Sequence, residues 1–386
     1  MDSESSTDAT SAREILHHLL SLRNPESPVL PAHKNDIPPW NPTAFRKIGF
    51  GQCGLVFTVP NQLNRVIKVA RPFFNSALET DHAAHARLAA IIANRPPSPN
   101  PLRVTLPPVY AFHTPTSPFW TPQTKSCFPP AVASTGFPLP SAGLITGYIP
   151  PLPLAAREAI IALYCPEEKQ EAVRKEEANA DCLVRVYLGR KRKGDAPRPA
   201  NFGLRNYNLC LDQMVELALP VGGYAVAMGE ALAEMHFGAG MDAFDVEFVF
   251  GGRGGGLGLG DGDGGRDGGV REEGGLNGAE MWVLDFNLCS VWEWEVVVRE
   301  GLEGEMVEQM VHAFFGNDPY YPRPKEEGIE GEMWRVFGEG YKRRAEELIG
   351  AMGLKCEKVP GMFLRGCEKR QEELPEGVDK VSTDPV

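Results

Sequence analysis

Long apolar runs are absent from this chain of 386 residues. No stretch reaches the roughly 18 consecutive apolar residues that a membrane-spanning helix requires. Residues 1–12 are rich in Ser, Thr, Asp and Glu and lack the basic-then-apolar layout of a secretory signal. The sequence therefore predicts no membrane partner, and we expect a cytoplasmic or nuclear protein.

An excess of positive charge is also missing. Lys and Arg total 39 against 51 Asp and Glu, so the formal net charge is -12. Nucleic acids are bound through a positive field, and we therefore expect no nucleic-acid partner. One basic run, Arg190-Lys191-Arg192-Lys193, interrupts the pattern. A solvated basic loop is favoured there over a nuclear-import or anion-binding patch.

Closely spaced cysteine pairs are the third absence. The eight cysteines stand singly, without a Cys-x-x-Cys pair, so we expect reduced thiols and no disulfide framework. A structural zinc site usually combines two close ligand pairs. His82 and His85 form one such pair, but no second pair follows at a suitable spacing. The sequence predicts no zinc.

The 42% hydrophobic content is sufficient to bury a core. Pro- and Gly-rich stretches divide the chain into segments of different character. The predicted divisions are a mobile leader with a short helix at residues 12–22 (1–44), a small sheet region with a Gly-rich loop (45–150), a mostly helical region (151–370) that contains a flexible Gly-rich insertion (251–278), and a disordered tail (371–386).

The Gly-rich loop carries the first chemical signal. Gly49, Gly51 and Gly54 match the pattern G-x-G-x-x-G, and the apolar run at residues 55–59 that follows them predicts a strand. In a dinucleotide-binding fold the last glycine opens a helix instead. The pattern therefore favours a hairpin that covers a triphosphate.

Lys68 closes the next predicted strand, fourteen residues after Gly54. A cation on a rigid strand beneath the loop can hold the α- and β-phosphates during transfer. The alternative is a surface lysine on an edge strand. Lys68 would need an acidic partner on the following helix, and Glu79 is our candidate, although Ser76 and Glu79 also fit a capping box.

Two acidic segments complete the pattern. Asp242 and Glu247 have the spacing of the catalytic Asp and the metal-binding Asn of a kinase, and Asp285 begins Asp-Phe-Asn where kinases have Asp-Phe-Gly. Asp242 would orient the acceptor hydroxyl, while Asp285 and Glu247 would hold Mg²⁺. Asp245 replaces Asp242 if the register slips. Gly240-Met241 stands where His-Arg is usual.

These four parts, in this order, make residues 45–287 resemble the protein-kinase-like superfamily. Residues 242–249, 284–287 and 317–324, the last reading Asn-Asp-Pro-Tyr-Tyr-Pro-Arg-Pro, resemble a family of fungal proteins of unknown function, some of which are labelled "zinc finger protein". The resemblance implies an α+β, two-lobed protein-kinase-like fold, with a small antiparallel-sheet N-lobe and a mostly helical C-lobe. It also implies ATP and Mg²⁺ as cofactors.

The sequence leaves three functions open. The first is an ATP-dependent phosphotransferase, acting on a small molecule because no Ala-Pro-Glu string closes a peptide-docking segment. The second is a pseudokinase that keeps the nucleotide without transfer. The third is an interaction scaffold in which residues 317–324 form a docking loop. For the first two we expect Lys68 to meet Asp285, with Asp242 and Glu247 beside Asp285.

Overall fold

The fold is given by a computed structural model that describes residues 2–21, 44–60, 62–95, 101–129, 138–192, 202–253, 278–317 and 319–374. The protein is α+β: an antiparallel sheet lies in the N-terminal part of the chain, and helices dominate the rest. Among these residues, no helix combines the length and the apolar character that crossing a membrane requires.

The N-terminal sheet has five antiparallel strands in the order β1-β2-β3-β5-β4. Its strands are β1 (Lys47–Phe50), β2 (Gly54–Val59), β3 (Gln62–Ala70), β4 (Val109–His113) and β5 (Gly143–Gly147). β-Branched and aromatic residues fill β2 and β3, and such side chains favour extended backbone. The predicted antiparallel sheet is confirmed.

Alternation along the strands gives this sheet two different faces. On one face, Phe57, Ile67 and Val69 pack in a small core that Trp120 and Phe128 cover. Because successive side chains in a strand point to opposite faces, Lys68 lies on the other face. Helix α2 (Asn75–Ala93) lies next to that second face, where its Leu78 packs with Ala70 and Leu144. The register of β3 thus directs Lys68 towards α2.

The rest of the chain contains most of the helices and a second sheet. Besides the short α3 (Pro122–Ser126), the helices are α4 (Leu154–Tyr164), α5 (Glu167–Lys175), α6 (Leu211–Glu216), α7 (Val221–Ala233), α8 (Trp294–Glu300), α9 (Glu303–Gly316), α10 (Gly328–Met352) and α11 (Val359–Glu373). Helix α7 approaches α10 so closely that a Cβ on Gly229 would lie 2.4 Å from the Phe337 carbonyl oxygen. Only glycine fits at that crossing.

The second sheet has the order β7-β6-β8-β9. Its strands are β6 (Val184–Tyr187), β7 (Tyr207–Cys210), β8 (Glu247–Gly252) and β9 (Ala279–Leu284), of which β6 and β7 run parallel. Tyr320 and Tyr321 pack against it: the Leu188 N–H donates to the Tyr320 carbonyl (3.0 Å), and the buried Tyr321 packs on Phe248. Tyr320 and Tyr321 therefore belong to the core, and a docking role for the segment stays a prediction.

The leader differs from our prediction. Helix α1 spans Asp2–Leu20 and buries Leu16, Leu19 and Leu20 in the main core. The Tyr224 hydroxyl donates to the Leu20 carbonyl at 2.6 Å. The part of this helix from residue 12 to residue 20 is thus packed on the core and not mobile, because its apolar positions repeat on one helical face. Residues 22–43 of the predicted leader lie outside the described residues.

Two other predicted boundaries change. Gly251 and Gly252 belong to β8, where they pair with Glu280 and Ala279 of β9. A Cβ on Gly251 would lie 2.6 Å from Ile149 Cγ2, so this end of the predicted insertion is close-packed. Helix α11 continues to Glu373 into the predicted tail. Residues 254–277 and 375–386 lie outside the described residues.

The basic run is engaged in ion pairs. Lys191 Nζ lies 2.5 Å from Glu330, and Arg192 Nε lies 2.6 Å from Asp212. Because acidic side chains compensate these charges, the run does not present a free basic patch at Lys191 and Arg192. Lys193 lies outside the described residues.

A π-helical turn, Glu234–Gly238, follows α7 and buries His236 completely. His236 Nδ1 lies 2.8 Å from the Tyr341 hydroxyl, and the rings of Phe363 and Phe237 pack around the imidazole. Burial lowers the pKa of His236 to about 3, against a smaller opposing effect of the Asp242 backbone. The imidazole is therefore neutral in the folded protein near pH 7.

We expect this buried imidazole to make the fold acid-sensitive. Below about pH 6.5 the imidazole of the unfolded chain takes up a proton, whereas that of the folded chain stays neutral down to about pH 3. The free energy of unfolding is therefore unaffected above about pH 6.5 and falls by up to about 1.4 kcal/mol per pH unit between there and pH 3. Urea unfolding at pH 7.5 and 5.5 should show a loss about 1 kcal/mol smaller in His236→Gln than in the wild type. The exposed His18→Gln is the control. An equal loss in His236→Gln and the wild type would contradict the assignment.

Candidate functional site

Lys68 is the centre of a group of three charges. Its Nζ donates to Asp81 Oδ2 at 2.8 Å and to Asp285 Oδ1 at 2.7 Å. The three side chains come from β3, from α2 and from the end of β9. The Asp81 side chain is 4% exposed, that of Lys68 17% and that of Asp285 28%. The expected meeting of Lys68 and Asp285 is confirmed.

The charge state of Lys68 follows from its neighbours. Burial alone would lower the pKa of Lys68, but the Asp285 and Asp81 carboxylates together raise it above its ordinary value. The ammonium is therefore charged at physiological pH. It has three N–H donors, and the two carboxylates occupy two of them. One donor remains for a further acceptor.

Asp81, and not Glu79, is the partner of Lys68 on α2. Glu79 is exposed, whereas Asp81 is buried and also accepts from the Phe286 N–H at 3.1 Å. Two residues along a helix correspond to about 200° of rotation, so these side chains face opposite ways. Our choice of Glu79 was wrong because Glu79 lies on the exposed side of α2, and the capping box does not form either, since no side chain among the described residues caps this helix.

A signal for Asp81 is present in the sequence. The buried positions of α2 include Leu78, Asp81, His85 and Leu88, which recur at the spacing of a single helical face. An acidic residue within an apolar stripe requires a buried partner. The stripe therefore indicates Asp81 as the acid that faces the core.

The Gly-rich hairpin lies above Asp285. Asn287 donates through Nδ2 to the Cys53 thiol at the hairpin tip, and its Oδ1 is buried without a hydrogen-bond partner among the described residues. A Cβ on Gly54 would lie 2.6 Å from the Val69 carbonyl oxygen, so glycine is required for this approach of β2 to β3. Gly49 and Gly51 belong to the same hairpin, and Gly51 has open space around it.

Asp242 is part of the loop framework. Its carboxylate accepts from the N–H groups of Phe244 (3.1 Å) and Ser290 (2.9 Å) and from Gln309 Nε2 (2.9 Å). The residue is only 5% exposed. Three donors therefore tie this buried carboxylate to the loop, and the expected role of Asp242 in orienting an acceptor hydroxyl stays a prediction.

Glu247 lies beside Asp285 but its charge is compensated. It pairs across the sheet with Leu284, the residue before Asp285, and its carboxylate forms an ion pair with Arg185. No three His, Cys, Asp or Glu side chains group as a metal site among the described residues. The predicted Mg²⁺ site of Asp285 and Glu247 does not fit, because the Arg185 guanidinium already neutralises the Glu247 carboxylate.

Asp245 also lies near these acids. The Asp242, Asp81, Asp285 and Asp245 carboxylates all help to raise the pKa of the Cys289 thiol, although burial is the largest cause. The Asp245 N–H donates to Asn317 Oδ1, which fixes the loop. Four carboxylates thus lie near enough to this buried thiol to oppose its ionisation.

The segment after β5 offers a backbone donor. The Tyr148 N–H donates to the Asn64 carbonyl and the Leu152 N–H to the Cys182 carbonyl, both at 2.9 Å. The Ile149 N–H between them has no partner among the described residues. Pro150 and Pro151 follow and cannot donate. Ile149 therefore carries the donor that this connection leaves available.

Comparisons with known proteins add one finding. Residues 281–353 match a family of unknown function that carries the description "Zinc finger protein". No curated protein and no solved structure matches the chain. The matched segment begins in β9, contains Asp285 and residues 317–324, and ends just after α10. The similarity therefore covers Asp285 and the segment whose tyrosines pack on the second sheet.

Substitution of the two acids of α2 tests the site geometry. We expect Asp81→Asn to lower the free energy of unfolding by about 1–3 kcal/mol, because Lys68 loses a buried charged partner. Glu79→Gln, the matched control on the exposed face, should change it by less than about 0.5 kcal/mol. Urea unfolding at pH 7.5 measures both. Equal effects of the two substitutions would show that Asp81 is not the partner.

Proposed function

We propose that this chain is a kinase-like protein that binds a nucleoside triphosphate between two lobes and does not transfer its phosphoryl group. The observation that carries the proposal is the Lys68 ammonium, 2.7 Å from Asp285 and 2.8 Å from Asp81 beneath a Gly-rich hairpin. A cation on a strand, paired with a helix acid and adjacent to an Asp-Phe segment, is the phosphate-binding arrangement of kinases.

The two-lobed arrangement is supported by how the chain is divided. The N-terminal sheet with α2 forms the smaller lobe, and α4 to α11 with the second sheet form the larger one. The connection after β5 joins them. Its Ile149 N–H, which has no partner within the described part of the chain, could donate to a ring nitrogen of a purine. Lys68 would hold the phosphates with its third donor.

We infer that the protein does not transfer the phosphoryl group from the contacts that two carboxylates, Asp242 and Glu247, already make. Transfer needs a group that orients the acceptor and metal ligands that neutralise the developing charge. Asp242 is held by three donors, and Glu247 is paired with Arg185. Both groups are therefore committed to the fold. A phosphotransferase acting on a small molecule remains the alternative, and turnover would support it.

Ligand-induced stabilisation tests nucleotide binding. We expect ATP in EDTA to raise the thermal midpoint, because the site relies on Lys68 and not on a two-carboxylate metal site. At ten times its Kd, the ligand stabilises the fold by about 1.4 kcal/mol. Lys68→Ala should abolish the shift, while the exposed Lys369→Ala should keep it. Absence of any shift with ATP, with or without Mg²⁺, would contradict binding.

A turnover assay separates the two alternatives. We expect ATP hydrolysis and phosphorylation of small hydroxyl and amine acceptors to stay at the level of Asp285→Ala. Turnover clearly above that level, lost in Asp245→Asn or Asp242→Asn, would show that the protein is a phosphotransferase.

A further inference from the structure

Arg87 of α2 makes three contacts outside its own helix. Its Nε donates to the Ala239 carbonyl, its Nη2 to the Trp292 carbonyl at 3.1 Å, and its Nη1 to Glu293 Oε1 at 2.7 Å. Ala239 precedes Asp242, and Trp292 and Glu293 follow Asp285. One guanidinium therefore joins α2 to two backbone segments, the loop before Asp242 and the segment after Asp285.

The same helix contacts the Asp285 segment at a second point. Asp81 accepts from the Phe286 N–H, and the His85 ring packs at 5.1 Å from the ring of the buried Phe286. Asp81 and Arg87 are six residues apart on α2, and so are their contacts Phe286 and Trp292. Helix α2 thus holds residues 286–293 at both ends.

The loop before Asp242 is shaped to admit this contact. Gly240 has a positive φ of 58°, and a Cβ there would lie 2.4 Å from the Trp292 carbonyl oxygen. The Trp292 N–H donates to the Gly240 carbonyl at 2.8 Å. Gly240-Met241 stands where kinases have His-Arg, so the loop itself lacks a guanidinium. Arg87 supplies one from the opposite lobe.

We propose that Arg87 is a positioning residue that holds residues 286–293, and with them Asp285, next to Lys68 without any covalent modification. Kinase segments that follow the Asp-Phe-Gly position are ordered by phosphate groups that pair with arginine. Here a permanent carboxylate, Glu293, and two backbone carbonyls serve as the acceptors. The inference rests on the proposed function only where it concerns the nucleotide.

The hydrogen bonds of Arg87 to the two carbonyls should contribute more to holding residues 286–293 than its ion pair with Glu293. The Glu293 side chain is 60% exposed and that of Arg87 is 31% exposed, and exposed ion pairs contribute little. The contacts to Ala239 and Trp292 are partly buried and require a planar fork that lysine lacks. Arg87→Lys should therefore behave like Arg87→Gln, and Glu293→Gln should have the smallest effect.

Amide hydrogen exchange of the ligand-free protein tests the inference. We expect Arg87→Gln and Arg87→Lys to speed exchange of residues 286–293 about tenfold, and Glu293→Gln less than about threefold, while β5 keeps its protection. Arg174→Gln is the control, because its pair with Glu158 is similarly exposed but lies on α5 and α4. Unchanged exchange at 286–293 in Arg87→Gln would overturn the proposal, as would loss of protection throughout the protein or an equal effect of Glu293→Gln.

A binding measurement extends the test to the ligand. ATP titration should give a Kd about tenfold weaker in Arg87→Gln than in the wild type, with Arg174→Gln unchanged. An unchanged Kd would contradict the positioning role. If the wild type does not bind ATP, the proposed function fails, and the exchange experiment still decides the role of Arg87.

Discussion

The buried ammonium of Lys68, shared by Asp81 and Asp285, is the interaction on which the site depends. Removing a charge from water costs several kcal/mol unless close partners replace the solvent. The three charges come from β3, α2 and the end of β9. They meet only if the strand register and the helix rotation turn all three side chains towards one point. Lys68 and Asp81 are only 13 residues apart, whereas Asp285 lies 217 residues after Lys68, so the interaction fixes a distant part of the chain against β3 and α2.

The backbone around the site adopts strained conformations. Asp285, Ala243 and Asp245 have φ values of 67°, 56° and 64°, a region that costs non-glycine residues of order 1–3 kcal/mol each. Such conformations persist only where surrounding contacts determine them. Asn317 supplies two of these, since its Nδ2 donates to the Ala243 carbonyl and its Oδ1 accepts from the Asp245 N–H. The sequence resemblance at residues 317–324 thus falls on a segment that supports the acidic loop.

Sequence reasoning found the parts whose signal is local. The Gly-rich hairpin, Lys68 and Asp285 follow from short patterns in a fixed order, and Lys68 meets Asp285 as expected. It failed where the answer depends on packing. Glu79 was chosen without regard to the apolar stripe of α2, on which Asp81 lies and Glu79 does not. The short helix at residues 12–22 was predicted, but local sequence did not show that its apolar side packs on the main core. Local sequence cannot show that Arg185 compensates Glu247.

The distinction between binding and transfer rests on which donors and acceptors are already used. Lys68 gives two of its three donors to carboxylates, so under the proposed function its third N–H would donate to an anion without the loss of either partner. Asp242 is in the opposite position, because Phe244, Ser290 and Gln309 use its carboxylate to join the loop before β8 to the segment after Asp285. Freeing Asp242 for an acceptor would break the contacts that place Ser290 and hence Asp285. Loop architecture would therefore compete with catalysis for this carboxylate, whereas the proposed anion binding at Lys68 would not disturb the loop.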